Sequence, residues 1–524
     1  MTDARPEAAS ATLTDAAGTM VAALPTALVC AGCGHRVPDD APLAFACPAA
    51  RAGDDVDHLL VRVTAAPGGF GVDAGEDAGT PNPNPYLRWR TRFHAYNRAR
   101  AMGWSDDDYV ALVRRLDAAV AMVDGHGFRI RPFARSGPLS EALGFSAAGG
   151  VWVKDETGNV SGSHKARHLF GTLLELAVEA ARHRASAGGT SAAETPEAGQ
   201  PAAELPAAAE PVAERAPLAI ASCGNAALAA AVVARAADRH LDVFIPPDAD
   251  PVVVERLGGL GATCTVCERA PGVSGDPTYH ALLRAVEAGA VPFTCQGNLN
   301  GFAIEGGETL GWELAAAVGT PGGPTRLDRV VVQVGGGALL SSVIAGLRYG
   351  GAALPRIHAV QPATVHPLAR AFERVRARVA AGEEADAVLA DAGRHRSAFM
   401  WPWEQEPHSV AHGIIDDETY DWRTCVGGML ASGGGPLVAS EETLEEANAL
   451  ARSTTGIDVD HTGSAGHARR QDLVRTRAIR PDENVAVLFT GAVRRPPTPA
   501  SGDQPVTRAA HRRLHSHHAT SGGI

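Results

Sequence analysis

The chain has 524 residues and carries 47 Lys+Arg against 59 Asp+Glu, a formal charge of −12. That length allows two or three domains around a large buried core. With no basic run of five or more residues, a nucleic-acid partner is not expected. No stretch approaches the ~20 consecutive apolar residues of a membrane span, and Met1–Ser10 lacks a basic-then-apolar signal pattern, so a cytoplasmic protein is expected. Eight scattered cysteines exclude a disulfide framework and suit a reducing compartment.

In chain order, residues 1–25 are rich in Ala, Thr and Pro and are expected to be a disordered tail. Residues 26–64 hold Cys30-x2-Cys33 and then Cys47. Thiolates so spaced suit tetrahedral zinc, with His58, or else His35, as a fourth ligand; the alternative is a remnant ribbon with free thiols. Residues 80–134 form a helical lead. Within it Ser105 and Asp108 offer a capping box, Tyr109, Leu112, Val113, Leu116 and Val120 share one face, and Gly125 ends the helix.

From 135 to 493 short apolar runs alternate with helical stretches. Strands are expected at Val151–Lys154, Leu218–Ser222, Leu241–Ile245, Ala262–Val266, Arg329–Val334, Arg356–Val360 and Asn484–Phe489. Helices are expected at Asn225–Arg239, Thr278–Ala288 and Gly306–Ala316. Strands apolar on both faces, alternating with helices, predict an α/β protein with two parallel-sheet units. An Ala/Glu/Pro/Gly/Ser stretch at about 184–217 predicts a disordered surface insertion, and 494–524 a second disordered tail. Cys264 and Cys267 share the x2 spacing but fall in and after a strand, where core packing is expected.

Four segments carry chemistry. Ser161-Gly162-Ser163-His164-Lys165 places a lysine at a helix start, where unpaired amides and partial positive charge suit a phosphate and an amine nucleophile. Gln333-Val334-Gly335-Gly336-Gly337-Ala338-Leu339 follows a strand and opens a helix, so its amides can converge on a phosphate without a Cβ in the way. It is neither the dinucleotide fingerprint nor an ATP-binding loop. Ser222-Cys223-Gly224-Asn225-Ala226 is a second strand-to-helix turn able to grip a carboxylate. Asp460-His461-Thr462-Gly463 alone would be a capped turn.

Together, in this order, the four segments resemble the fold-type-II pyridoxal-phosphate enzymes of the tryptophan-synthase-β-like superfamily, such as threonine synthase and the serine and threonine dehydratases. The resemblance covers roughly Arg135 to Ala492. It implies that Lys165 holds the cofactor as an internal aldimine and acts as the base. Gly335, Gly336, Gly337, Ala338 and Leu339 would bind the cofactor phosphate, and Asn225 would face the 3′ oxygen. Ser222, Gly224, Asn225 and Ala226 would bind the substrate carboxylate, and Thr462 would meet the pyridine nitrogen. His164 is similar to the tryptophan synthase histidine that approaches the phosphate, while Ser222–Ala227 looks like the dehydratases. The zinc-ribbon-like segment is similar to one in threonine synthases, but Ala49 and Ala50 stand where their last cysteine is expected.

A lyase acting on a small hydroxy-amino acid or its phosphate ester is therefore expected, of the threonine synthase or serine/threonine ammonia-lyase kind. Replacement at Cβ, as in cysteine and tryptophan synthases, and a non-catalytic binding protein are the alternatives. A homodimer is implied by the resemblance.

Overall fold

The structure, a computed structural model, describes residues 13–14, 20–21, 24–64, 82–186, 216–273, 275–349, 354–468 and 479–494. Most of the expected disordered tails and of the expected insertion lies outside these residues, but within the N-terminal tail two short strands pair, contrary to the expectation of disorder there. The helix before the insertion runs from Lys165 to Ser186, into the first residues of the expected insertion.

Strands Leu13–Thr14 (β1) and Met20–Val21 (β2) pair antiparallel, as do Thr26–Cys30 (β3) and Leu60–Thr64 (β4). The latter hairpin brackets the cysteine-rich segment. In the helical lead, Asp106–Asp124 is capped by the reciprocal Ser105–Asp108 pair and ended by Gly125 at φ +86°. That left-handed stop is the conformation for which glycine is the low-strain residue.

Next come Phe133–Ser136 (β5) and Gly150–Asp155 (β6). Helix Lys165–Ser186 then leads to Leu218–Ala221 (β7), Leu241–Ile245 (β8), Thr263–Val266 (β9) and Val291–Pro292 (β10). These four form one parallel sheet, ordered β10-β7-β8-β9. The chain then returns through helix Gly301–Ala317 to Arg329–Gln333 (β11), Arg356–Pro362 (β12), Gly435–Ala439 (β13) and Asn484–Phe489 (β14).

The larger sheet runs β13-β12-β11-β14-β6-β5, parallel except for β5 at its edge. Every residue of β11 and β14 is buried, as expected for strands covered by helices on both faces. The α/β architecture with two parallel-sheet units is thus as the sequence pattern predicts. Cys264 and Cys267 depart from expectation. The edge strand β9 is largely exposed, so Cys264 is only partly buried against the core and Cys267 lies near the surface.

Helix Gly301–Ala317 packs against both helix Lys165–Ser186 and helix Ala338–Tyr349. Beneath these helices lies a wholly buried ion network. Arg167 pairs with Glu156 at 2.8 Å and with Glu313 at 2.6 Å, and Lys154 bonds Glu313 and the Arg131 carbonyl. Buried charges persist only when paired and hydrogen-bonded, so Lys154 serves the fold.

Candidate active site and metal centre

In the larger sheet β14 lies between β6 and β11, which separates those two strands by roughly 10 Å. The segment after β6 ends at Lys165, and the segment after β11 is the glycine turn. Both therefore emerge at carboxyl ends of parallel strands, the usual ligand-binding edge of such sheets. The Lys165 loop is docked onto the chain after β14: Ser163 bridges Gly491, and the Ala492 amide donates to the Gly162 carbonyl at 2.9 Å. Gln333, at the end of β11, donates to the Gly463 carbonyl at 3.0 Å and to Thr490 Oγ1 at 2.7 Å. Lys165, the glycine turn and the Thr462 loop are thus tied to one strand end.

Lys165 is the first residue of its helix and is half-buried. His164 beside it is buried. Burial, with the nearby Lys165 charge, holds its pKa well below the usual histidine value, so the ring is neutral. His168 packs edge-on against it at 5.4 Å and donates through Nδ1 to the Ala303 carbonyl, 2.8 Å away.

Gly337 adopts φ +97°, and the turn is pressed against residues 414–421. A Cβ on Gly335 would stand 2.2 Å from Asp416 Oδ2, and one on Gly337 would stand 2.9 Å from Thr419 Cγ2. The Thr419 hydroxyl donates to the Gly335 carbonyl at 2.9 Å, and the Asp421 amide to the Gly336 carbonyl at 3.1 Å. Carbonyls are thereby turned away; the Gly336 amide reaches the Asp416 carboxylate, while the other amides from Gly335 to Leu340 have no hydrogen-bonded acceptor among the described residues. Almost all of this turn is buried. Buried amides without acceptors are costly, and a phosphate would satisfy them, so the residues present fit the phosphate of a phosphorylated cofactor.

Ser222, Gly224, Asn225 and Ala226 sit at the carboxyl end of β7 in the smaller sheet, half-buried, where helix Asn225–Ala236 begins. That helix packs on the Val160–Gly162 turn, which brings this loop beside Lys165. Thr462 Oγ1 accepts the Gly413 amide at 2.9 Å, leaving its O–H proton free to donate.

Two carboxylates were not singled out by the sequence reading. Asp416 borders the glycine turn, and burial raises its pKa to about 6 against the opposing pull of Lys165. Asp421 is fully buried; burial raises its pKa to about 8, with a hydrogen bond from the Gly297 amide opposing. Neither belongs to a recognisable motif. Only the return of the chain some 80 residues after the turn places them.

The ligand atoms of Cys30, Cys33, Cys47 and His58 all lie within 4.8 Å of one another. His58 Nδ1 is 3.5 Å from Cys30 Sγ, and its Nε2 meets Asp54 Oδ2 at 3.0 Å. A carboxylate on the far ring nitrogen is the usual support of a metal-binding histidine, and three sulfurs with one imidazole suit tetrahedral zinc. His35, the other histidine considered, is not in this group.

The comparisons with known proteins agree with this geometry. A family profile described as "Pyridoxal-phosphate dependent enzyme" matches residues 128–491. Relatives named "Serine dehydratase-like" from Mus musculus and Rattus norvegicus are 28% and 27% identical over 41% and 42% of this chain. The match spans about half of each relative's length, 53% and 54%. Diaminopropionate ammonia lyase from Escherichia coli shares the fold with a TM-score of 0.50 at 17% identity, covering 74% of this chain and 88% of that one. Threonine deaminase isoform 2 from Solanum lycopersicum gives 0.49 at 15% identity, over 75% of this chain and 91% of that one. Because the matched stretch runs from just before β5 to just after β14, and so contains both sheets and all the turns that converge at Lys165, the chain belongs to the pyridoxal-phosphate dependent enzyme family.

Proposed function

We propose that the protein is a lyase acting on a small hydroxy-amino acid or its phosphate ester, of the ammonia-lyase or threonine synthase kind. The observation that carries this reading is the half-buried Lys165 set across one strand from a turn of amides most of which lack acceptors. Bound there, pyridoxal phosphate supplies the electron sink that makes a Cα proton removable.

The chain's own groups do the rest. Lys165 takes the Cα proton as base. The amides at the start of helix Asn225–Ala236, with Ser222, Gly224 and Ala226, hold the substrate carboxylate, and Asn225 faces the 3′ oxygen. Gly335, Gly336, Gly337, Ala338 and Leu339 hold the phosphate. The Thr462 hydroxyl, already accepting from Gly413, donates to the ring nitrogen as a neutral partner. A neutral partner supports elimination or replacement at Cβ better than transamination. The dehydratase-like names of the partial relatives support elimination. Replacement at Cβ is the second reading, favoured by the neutral His164 beside Lys165.

In this assignment residues 26–64 form a zinc-ribbon-like segment in which Cys30, Cys33, Cys47 and His58 hold one structural zinc. Residues 80–134 are the helical lead and 135–493 the catalytic domain. Two copies assemble as a homodimer, measurable by light scattering.

The purified protein should show a near-visible absorbance band that borohydride removes, leaving a mass adduct on the peptide bearing Lys165. Lys165→Ala should lack both. Incubation with serine, threonine and phosphohomoserine, scoring ketoacid against threonine, then separates the lyases. An adduct on any other lysine, or none, sinks the reading.

A further inference from the structure

The side-chain anion at the glycine turn belongs to the chain itself. Asp416 Oδ2 lies 2.2 Å from where a Gly335 Cβ would stand, and Oδ1 lies 3.5 Å from the corresponding point at Gly336. The Gly336 amide and the Lys165 charge favour its ionised form, while Asp276 and burial oppose it. Asp417, the next residue, feels the same negative field. An oxyanion entering the amide turn meets a carboxylate at its edge, and like charges this close repel strongly where bulk water is excluded.

We propose that Asp416 is the specificity residue of the cup: its carboxylate turns away free phosphate anions, and a phosphorylated aldehyde is retained because Lys165 captures it covalently. This rests on the reading of the turn as the cofactor's phosphate site. In the capture step Lys165 Nζ forms a double bond to the aldehyde carbon. The aldehyde oxygen leaves as water with the two amine protons, so no oxidant or reductant is needed. That bond supplies the free energy that a free phosphate cannot draw on to offset the repulsion.

The test uses full-length apo-protein, stripped of cofactor, at fixed pH and ionic strength. Inorganic phosphate binding is measured by calorimetry and pyridoxal phosphate binding by its absorbance. Asp416→Asn should bind inorganic phosphate at least about tenfold more tightly than the parent, and Asp417→Asn should match the parent. In a Lys165→Ala background, Asp416→Asn should restore non-covalent retention of the cofactor in equilibrium dialysis.

Should Asp416→Asn fail to fold, Asp416→Ser removes the same charge and carries the same expectation. Unchanged or weaker phosphate binding overturns the proposal, as does an equal gain in Asp417→Asn, which would mark a general charge effect. If phosphate binding tightens while no variant forms the Lys165 adduct, the gate stands and the cofactor reading falls. If the adduct forms while phosphate binding is unchanged, the gate falls alone.

Discussion

Asp421 stands at the start of helix Trp422–Ser432 beside the glycine turn, wholly buried. Burial lifts its pKa from 3.8 to about 8. Between those values the unfolded chain has released the proton and the folded chain has kept it. Stability therefore falls as pH rises from about 4 to about 8, and the loss is constant above that. Asn mimics the neutral acid, so Asp421→Asn should melt with the parent near pH 4 and above it by several degrees at pH 8–9, read by calorimetry. Parallel Tm-versus-pH curves for the two proteins would refute the assignment. Lys165 and the glycine turn were legible because their residue types declare a chemistry at a strand-to-helix junction. A lone aspartate declares none until the fold shows what surrounds it, which is why Asp416 and Asp421 emerged only from the structure.

At the scale of elements, the distance between Lys165 and the glycine turn is set by glycines where three helices cross. A Cβ on Gly306 would lie 2.3 Å from the Arg167 carbonyl oxygen, and one on Gly171 would lie 2.7 Å from Gly306 Cα. On the other side, a Cβ on Gly311 would lie 2.7 Å from Gly346 Cα and from the Val343 carbonyl oxygen. These obstacles are backbone atoms and cannot swing aside, so Gly311→Ala must push helix Ala338–Tyr349 outward and carry the glycine turn with it. The expected cost is on the order of 2 kcal/mol of stability, as for other overpacked cores. Weaker cofactor retention should accompany it, and retention as tight as the parent's would show that the crossing does not set the turn. Much of the fold was readable because central strands apolar on both faces and well-capped helices carry their own period. The edge strands β5 and β13 escaped because they are short and partly exposed. The first turn of helix Gly301–Ala317 escaped because it has no side-chain cap. The Arg167–Glu156–Glu313 network was opaque for another reason: its charges read as surface in sequence and pair only across distant elements.

At the scale of the whole molecule, the cysteine-rich hairpin is bound to the catalytic unit on two sides. Arg62 of β4 pairs with Glu305 at 2.8 Å and with Glu308, both on the central helix. On the other side the Asp57 amide donates to the Gly393 carbonyl at 2.7 Å, and Arg396 joins Asp57 to Glu418 of the segment that closes the glycine turn. His58, adjacent to Asp57, is one of the four metal-competent side chains, so a bound ion would fix the loop on which this second attachment depends. Without the ion, residues 30–58 keep the apolar cluster around Val37, Cys47 and Phe302 and the Asp55 and Asp57 contacts but lose the ligation that ties the four side chains together, and structural zinc sites contribute folding free energy directly. Cys30→Ser should therefore lose one zinc per chain by elemental analysis and lower Tm by on the order of 5 °C. Arg396→Met should keep the zinc yet loosen the cofactor, because it cuts the link without touching the ligands. A native preparation free of metal, with the Tm of its Cys30→Ser variant unchanged, would show that the four side chains meet for packing alone.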